Sequence, residues 1–229
     1  MTTVLLVRHG LTSANTGGTL AGWTPGVHLA PKGEEQVAAL ADRLSAVPVA
    51  AIVSSPLERC QETAAVLAGG RAKITVETDD RLGECHYGDW QGKQLKTLAK
   101  DPLWKVVQSH PSAARFPGGE ALRDTQARAV AAVREHNERL GADATWIAVS
   151  HGDVIKAVLA DALGVHLDEF QRIVVDPASV SVVTYTQLRP FVVRMNDVGG
   201  DVAGLIPSKP TRRKRSSDAA VGGGAGGGR

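Results

Sequence analysis

Apolar residues occur along the chain in short runs, and two of these runs end in the same dipeptide. The first is Val4-Leu5-Leu6-Val7, and residues 49–53 and 145–150 form two others. Short runs without polar alternation are typical of strands that are buried on both faces of an α/β sheet. Two further strand-like stretches, residues 178–185 and 191–195, predict a hairpin. The pattern therefore predicts an α/β fold.

Apolar residues at helical spacing lie between these runs. From Pro31 to Leu44 they recur every three or four positions, and residues 122–140 and 153–163 follow the same rule. Proline is well suited to the first turn of a helix, so Pro31 marks a helix start. The stretch Ser55-Pro56-Leu57-Glu58 predicts a capping box, with Ser55 as the N-cap of another helix.

The two runs that end in His-Gly supply the first candidate chemistry. Arg8-His9-Gly10 follows the first run, and His151-Gly152 follows residues 145–150 and opens a helix. Open α/β sheets bind ligands beyond the carboxyl ends of their strands. Glycine lets a ligand approach the backbone, and a helix that starts beside the ligand offers free N–H groups to an anion. A histidine in this place can also be purely structural, so the neighbouring residues must decide.

Other polar residues fall where they could join the same crevice. Asn15 lies in a polar segment after the first His-Gly, and Arg59 lies early in a predicted helix, where it could reach an anion. Residues 81–92 mix acid, aromatic residues and glycines around Glu84 and Tyr87, a composition that favours an active-site loop. The ordinary alternative for each charged residue here is a solvated surface position.

Charge divides the chain into two parts. The formal net charge is +2, but residues 209–229 contribute +5 and leave about −3 for the rest. We therefore expect one domain over residues 1–205 and a disordered basic, glycine-rich tail over residues 206–229, which positions no reacting group. A nucleic-acid reader would carry its basic surface on the folded domain, so we expect at most weak contact of the tail with nucleic acid.

The chain lacks the signals of a membrane or secreted protein. No apolar run approaches the roughly 20 residues that span a bilayer, and the N-terminus lacks the features of a signal peptide. With only Cys60 and Cys85, a disulfide scaffold or a four-cysteine metal site is excluded, and we expect free thiols. These observations predict a cytoplasmic protein with no membrane partner.

Taken in order, the motifs resemble those of the histidine phosphatase superfamily, also called phosphoglycerate mutase-like. The resemblance covers roughly residues 3–195 and implies a three-layer α/β/α sandwich around a mostly parallel sheet, as well as a possible homodimer. The ordered set that carries it comprises Arg8-His9-Gly10, Asn15, Ser54-Ser55-Pro56-Leu57-Glu58-Arg59, Glu84, Tyr87-Gly88-Asp89-Trp90 and His151-Gly152.

The resemblance implies a phosphatase that acts through a phosphohistidine on a small phosphorylated metabolite, without metal or other cofactor. His9 would be the nucleophile, Glu84 would give and take the proton, and His151 would help to neutralise the phosphoryl oxygens. The remaining predicted site residues fall into two groups: Arg8, Asn15, Arg59 and Gly152 for the phosphate, and Gly22, Tyr87 and Arg115 for the rest of the substrate.

Three other functions compete with this one. A metal hydrolase built on His9 and His151 would need close ligand spacings that the sequence does not contain. A catalytically inactive binding module would be favoured by the loss of a catalytic position, and no such loss is visible. A phosphoglycerate mutase is the nearest alternative. A mutase needs a closing lid, for which residues 93–117 are short.

Overall fold

A six-stranded sheet forms the centre of the computed structural model, which describes residues 1–72, 74–200 and 221–223. Its strand order is β3-β2-β4-β1-β5-β6. The first four strands of that order run parallel, and β5 and β6 add an antiparallel hairpin at one edge. The strands are β1 (Thr2–Arg8), β2 (Ala51–Ser54), β3 (Val76–Thr78), β4 (Thr145–Ser150), β5 (Val180–Tyr185) and β6 (Pro190–Asp197).

Helices cover both faces of the sheet. One apolar core joins Leu5 and Val7 of β1 to two helices, and the other joins Val4 and Leu6 to the helices of the opposite face. This alternation confirms that β1 is buried on both sides and confirms the predicted three-layer α/β/α architecture. The helices are α1 (Ser13–Thr16), α2 (Pro31–Leu44), α3 (Glu58–Ala68), α4 (Leu95–Leu98), α5 (Pro102–Ser109), α6 (Leu122–Leu140) and α7 (Gly152–Leu163).

The register of the central strands brings the two His-Gly dipeptides together. Strand β1 lies beside β4 in parallel, with Arg8 opposite Ser150. The backbone N–H of His9 donates to the carbonyl of Ser150 at 3.1 Å. Since both strands end at the same edge of the sheet, His9 and His151 enter one crevice, as the sequence predicts.

The predicted capping box at the start of α3 is wrong. The helix begins at Glu58 with Leu57 as its N-cap, and no side chain caps it. The Glu58 carboxylate accepts from the backbone N–H of Gly26 at 2.9 Å instead of reaching back. The Ser55 hydroxyl is hydrogen-bonded to the ring of His151 at 2.8 Å. The same hydroxyl accepts from the backbone N–H of Leu57 at 3.3 Å, so Ser55 joins the residue before α3 to the end of the neighbouring strand β4 and does not cap the helix.

Most of the predicted tail lies outside the described residues, so its disorder stays a prediction there. Its described part, Val221–Gly223, is a short 3-10 turn. Among the described residues, no helix has both the length and the apolar character needed to cross a membrane. The cytoplasmic location, the homodimer and a weak contact of the tail with nucleic acid remain predictions.

Candidate active site

His9 directly follows β1, and its ring is buried. Its surroundings determine which ring nitrogen carries a proton and keep the ring uncharged. Its Nδ1 is 2.7 Å from the carbonyl of Gly10, which can only accept, so Nδ1 carries the proton and Nε2 carries the lone pair. Burial and the charges of Arg59 and Arg8 lower the pKa of His9 well below 6.5. The ring is therefore neutral at pH 7, as a nitrogen nucleophile must be.

His151 packs edge-on against His9, with ring centroids 5.2 Å apart. Its Nδ1 accepts from a guanidinium nitrogen of Arg59 at 3.2 Å, so its Nε2 carries the proton toward the Ser55 hydroxyl at 2.8 Å. Burial and the charge of Arg59 lower the pKa of His151 well below 6.5. The ring is thus neutral, whereas the sequence predicts a cationic group, and the positive charge of the site comes from arginines.

Two buried guanidinium groups supply that charge. Arg59, at the start of α3, donates from Nη2 to the carbonyl of Gly22 at 2.8 Å and to His151. Its Nη1 is buried and has no hydrogen-bond partner among the described residues. Arg8 is fully buried and donates from Nη1 to the carbonyl of Val175 at 2.8 Å. A buried donor without a partner costs free energy, so Arg59 is ready to bind an anion.

Glu84 is the buried carboxyl of the site. It follows the 3-10 turn Asp80–Leu82 in the loop after β3, and it is only 4% exposed. Burial and the negative charge of Asp153 raise the pKa of Glu84 to about 7, although the backbone N–H of Cys85 donates to its Oε1 at 2.9 Å. A carboxyl group with this pKa can carry a proton at neutral pH and release it during the reaction.

Asp153, which the sequence analysis does not single out, lies in the first turn of α7 and is 1% exposed. Its Oδ2 accepts from the hydroxyl of Tyr87 at 2.9 Å, and its Oδ1 lies 3.5 Å from Nζ of Lys156. Tyr87 thereby joins the loop of Glu84 to the helix that follows His151. No sequence motif places residues 87 and 153 side by side, because only the fold does so. The acidic first turn after His151-Gly152 was the one available signal.

Asn15 faces the same cavity through helix α1. Its side-chain oxygen accepts from the N–H and the hydroxyl of Thr12, at 3.1 and 2.9 Å, in a capping box. Both lone pairs of the amide oxygen are thus used on the helix cap. The NH₂ group is the part of the side chain that can donate to a ligand, which agrees with the predicted phosphate contact.

The structure separates the weaker predicted site residues. Gly22 lines the cavity with a φ of 53°, and its carbonyl orients Arg59. Gly152 is buried at the start of α7, directly after His151. Arg115 is not brought to the site: its guanidinium is exposed and pairs with Asp124 at 2.9 Å. The acid that pairs with Arg115 is Asp124, which lies nine positions further along the chain.

The cavity beside His9 is small, about 20 Å³. No group of three or more His, Cys, Asp or Glu residues that could hold a metal ion occurs within residues 1–72, 74–200 and 221–223. The donors that could hold a phosphoryl group here belong to Arg8, Arg59 and Asn15. Residues that line the cavity include His9, Thr12, Asn15, Gly22, Arg59, Glu84, Tyr87, Val221 and Gly222.

Comparison with known proteins agrees with this geometry. The sequence profile of the histidine phosphatase superfamily (branch 1) matches residues 4–198, and the chain belongs to that family. It is similar to the glucosyl-3-phosphoglycerate phosphatase of Mycolicibacterium vanbaalenii, with 33% identity over 73% of this chain and 76% of that protein. It is also similar to phosphoserine phosphatase 1 of Hydrogenobacter thermophilus, with 30% identity over 86% and 92% of the two chains.

Two further relatives extend the comparison. A 2,3-bisphosphoglycerate-dependent phosphoglycerate mutase of Gloeobacter violaceus is 33% identical over 70% of this chain and 75% of the relative. Among solved structures, YhfR of Bacillus stearothermophilus superposes with a TM-score of 0.81 at 32% identity, covering 87% of this chain and 98% of that one. Phosphatases and a mutase thus share this fold and sequence pattern, and the assignment within the family must come from the site.

Proposed function

We propose that this protein is a metal-independent phosphomonoester hydrolase, acting on a small phosphorylated metabolite through a phosphohistidine on His9. The observation that carries the proposal is the pairing of a neutral His9, whose Nδ1–H is held by the Gly10 carbonyl, with the protonatable Glu84. One group is prepared to attack and the other to protonate the leaving oxygen. The family and its phosphatase members support the same assignment.

The first step forms the phosphohistidine. The lone pair on His9 Nε2 attacks phosphorus, an N–P bond forms, and the ester P–O bond breaks with its electron pair on the leaving oxygen. Glu84 donates its proton to that oxygen, so an alcohol leaves. Because Nδ1–H of His9 already donates to the Gly10 carbonyl, the positive charge that develops on the ring is held in place.

The second step returns the enzyme to its starting state. Water attacks phosphorus, the N–P bond breaks with its electron pair on Nε2, and the carboxylate of Glu84 takes the proton of the water. Inorganic phosphate leaves, and both His9 and Glu84 regain their initial protonation. The same carboxyl group is thus acid in one step and base in the next.

The two guanidinium groups stabilise the charge on the phosphoryl oxygens in both steps. Nη1 of Arg59 is a buried donor without a hydrogen-bond partner among the described residues, and the charge of the buried Arg8 also acts on His9. Fixed charge in a buried site is the main catalytic need of phosphoryl transfer, and here side chains supply it. In the free enzyme, neutral His151 accepts a hydrogen bond from Arg59 and so orients it. A bound phosphate dianion raises the pKa of His151 and therefore favours its protonated form.

A mutase is the second candidate function, favoured by the similarity to the mutase of Gloeobacter violaceus. The experiment that separates the two follows 3-phosphoglycerate by ³¹P NMR, beside a panel that contains phosphoserine, sugar phosphates and glucosyl-3-phosphoglycerate. We expect release of inorganic phosphate from at least one compound to outpace any conversion of 3-phosphoglycerate to 2-phosphoglycerate. Faster isomerisation than hydrolysis of every compound would contradict the hydrolase.

A further inference from the structure

The turn Val221–Gly223 lies against the catalytic cavity, far along the chain from every other element of the site. Val221 is 1% exposed and belongs to the same apolar core as Leu20 and Tyr87. Val221 and Gly222 both line the cavity that contains His9, Arg59 and Glu84. Burial to this extent shows that the side chain of Val221 packs against the domain.

The backbone of the turn uses the polar groups of the catalytic site. The N–H of Gly222 donates to Oδ2 of Asp153 at 2.8 Å, and its carbonyl accepts from Nη2 of Arg8 at 3.4 Å. Arg8 is a proposed phosphate ligand, and Asp153 also holds Tyr87 beside Glu84. The turn thus presents an oxygen to the cationic group and a donor to the anionic group, as a substrate would.

The backbone conformation and the surroundings of Gly222 favour glycine at this position. Gly222 has a φ of 75°, a conformation that residues with a side chain rarely adopt. A Cβ at this position would lie 3.0 Å from Cδ1 of Leu20 and 3.8 Å from the hydroxyl of Tyr87. A branched side chain at position 222 would therefore have to push the turn out of the cavity.

With the turn seated, the cavity is too small for a substrate. Its volume of about 20 Å³ is close to the ~10–15 Å³ that one water needs. A phosphoryl group has four heavy atoms, and the rest of a phosphorylated metabolite adds several more. We therefore expect a phosphorylated substrate to need the space that Val221 and Gly222 occupy.

We propose that the turn Val221–Gly223 is an intramolecular competitor of substrate, whose Gly222 carbonyl occupies the place of a phosphoryl oxygen at Arg8 while its N–H group binds Asp153. The proposal rests on the function assigned above to the cavity. Because the turn belongs to the same chain as the cavity, it binds as an intramolecular ligand, and ligands linked in this way reach effective concentrations on the order of millimolar. A modest intrinsic affinity then keeps the site closed for most of the time.

Competition has a defined kinetic signature. Apparent affinity falls in proportion to the fraction of molecules with an open site, so a turn seated in nine molecules of ten would raise KM about tenfold. Saturating substrate displaces the turn, which leaves kcat unchanged. The same factor must apply to a phosphate analogue that binds without turnover.

The test compares the full chain with chains that end at Ala220 and at Gly223. The first removes the turn, and the second keeps it as the matched control. We expect the chain ending at Ala220 to show a several-fold lower KM for p-nitrophenyl phosphate, the same kcat, and an equally lowered dissociation constant for orthovanadate by calorimetry. The chain ending at Gly223 should behave as the full chain.

Two substitutions repeat the test without truncation. Val221→Asp places a charge in an apolar seat beside Asp153, and Gly222→Val clashes with Leu20, so each should reproduce the effect of ending the chain at Ala220. A synthetic peptide of residues 216–227 should inhibit that shortened chain competitively with substrate.

Some outcomes would overturn the proposal. Equal KM and equal vanadate affinity for the full chain and the chain ending at Ala220 would show that the turn does not compete. A fall in kcat on removal would show that it belongs to the catalytic structure. Tighter vanadate binding by a chain that hydrolyses no compound of the panel would retain the competitor and refute only the hydrolase. Absence of vanadate binding in both chains would refute the anion site and the competitor together.

Discussion

His9 and Glu84 must hold opposite proton states when substrate arrives, and their surroundings shift both pKa values in the required directions. Burial and two arginines lower the pKa of His9 well below 6.5, so Nε2 keeps its lone pair. Burial and Asp153 raise the pKa of Glu84 to about 7, so its carboxyl group is largely protonated below pH 7. Opposite pKa shifts of two neighbouring groups indicate which is the base or nucleophile and which is the acid, here His9 and Glu84.

These shifts predict the pH dependence of kcat/KM. On the acid side, kcat/KM should fall only well below pH 6.5, where His9 takes up a proton. On the alkaline side, kcat/KM should fall near pH 7, where Glu84 loses its proton. The alkaline limb of kcat should lie at higher pH, because a bound phosphate dianion further raises the pKa of Glu84. The measurement is kcat and KM for p-nitrophenyl phosphate from pH 4 to 9.

The substitution Asp153→Asn tests the origin of the alkaline limb. Removing the negative charge should lower the pKa of Glu84 and move the alkaline limb of kcat/KM to lower pH. The control is Asp161→Asn on the same helix, whose carboxylate pairs with the exposed Arg134. A limb that stays near pH 7 in Asp153→Asn, or moves equally in both variants, would contradict this cause.

At the residue scale, the sequence pattern predicts the groups that we propose to react, but it does not predict the groups that orient them. His9, Glu84 and Arg59 belong to local motifs, each within a few positions of a strand or helix boundary. Asp153 and Ser55 act through contacts with residues distant in sequence, Tyr87 and His151 respectively. Ser55 was interpreted as a helix cap because its neighbours in sequence suit that role equally well.

At the element scale, helix α2 positions the catalytic loop through the close approach of Gly33. A Cβ at Gly33 would lie 2.1 Å from the carbonyl oxygen of Leu11, two residues after His9. The Leu11 carbonyl also accepts from the backbone N–H of Ala30 at 2.9 Å, which ties the loop to the start of the helix. The loop after β1 can lie this close only where the helix has no side chain.

We therefore expect Gly33→Ala to destabilise the protein and to slow the reaction. Overpacking costs up to roughly 3 kcal/mol, and the gain in helix propensity returns about 1 kcal/mol, for a net loss of about 2 kcal/mol. That loss corresponds to a fall in Tm of roughly 4–8 °C for a domain of this size. Calorimetry and kcat/KM are the measurements.

The control for this substitution is Ala38→Ser, which adds one heavy atom on the exposed face of the same helix. It should leave both Tm and kcat/KM close to wild type. If Gly33→Ala and Ala38→Ser proved equally stable and equally active, the close approach of α2 would not position the loop.

Elements followed from the sequence where periodicity was strong. Helix α2 and strand β4 have the predicted bounds, and α6 contains the predicted apolar positions from Leu122 to Leu140, because each carries a long or unbroken apolar pattern. Helix α3 begins at Glu58 with Leu57 as its N-cap, and not with the predicted N-cap Ser55, since short segments take their ends from tertiary contacts. The contact of Val221–Gly223 with the cavity has no counterpart in the sequence pattern, because the segment is rich in glycine and predicts only a disordered tail.

At the scale of the whole molecule, the sheet carries arginines and histidines to one edge, and this arrangement predicts that added metal is not needed. Arg8 and Arg59 supply the positive charge that a metal ion supplies in other phosphoryl-transfer enzymes. Hydrolysis should therefore survive exhaustive treatment with EDTA, within about a factor of two. Loss of activity that Mg²⁺ or Zn²⁺ restores would contradict this expectation.

The most direct test of the mechanism is to trap the phosphoryl group on the protein. Brief incubation with a ³²P-labelled substrate and denaturation in base should leave about one label per active site that is stable in base and lost in acid, as a phosphohistidine is. His9→Ala should abolish both the label and turnover, while His151→Ala, matched in size and burial, should retain the nucleophile and slow its reaction. Acid-labile labelling of His9→Ala at the wild-type level would contradict the assignment of His9 as nucleophile.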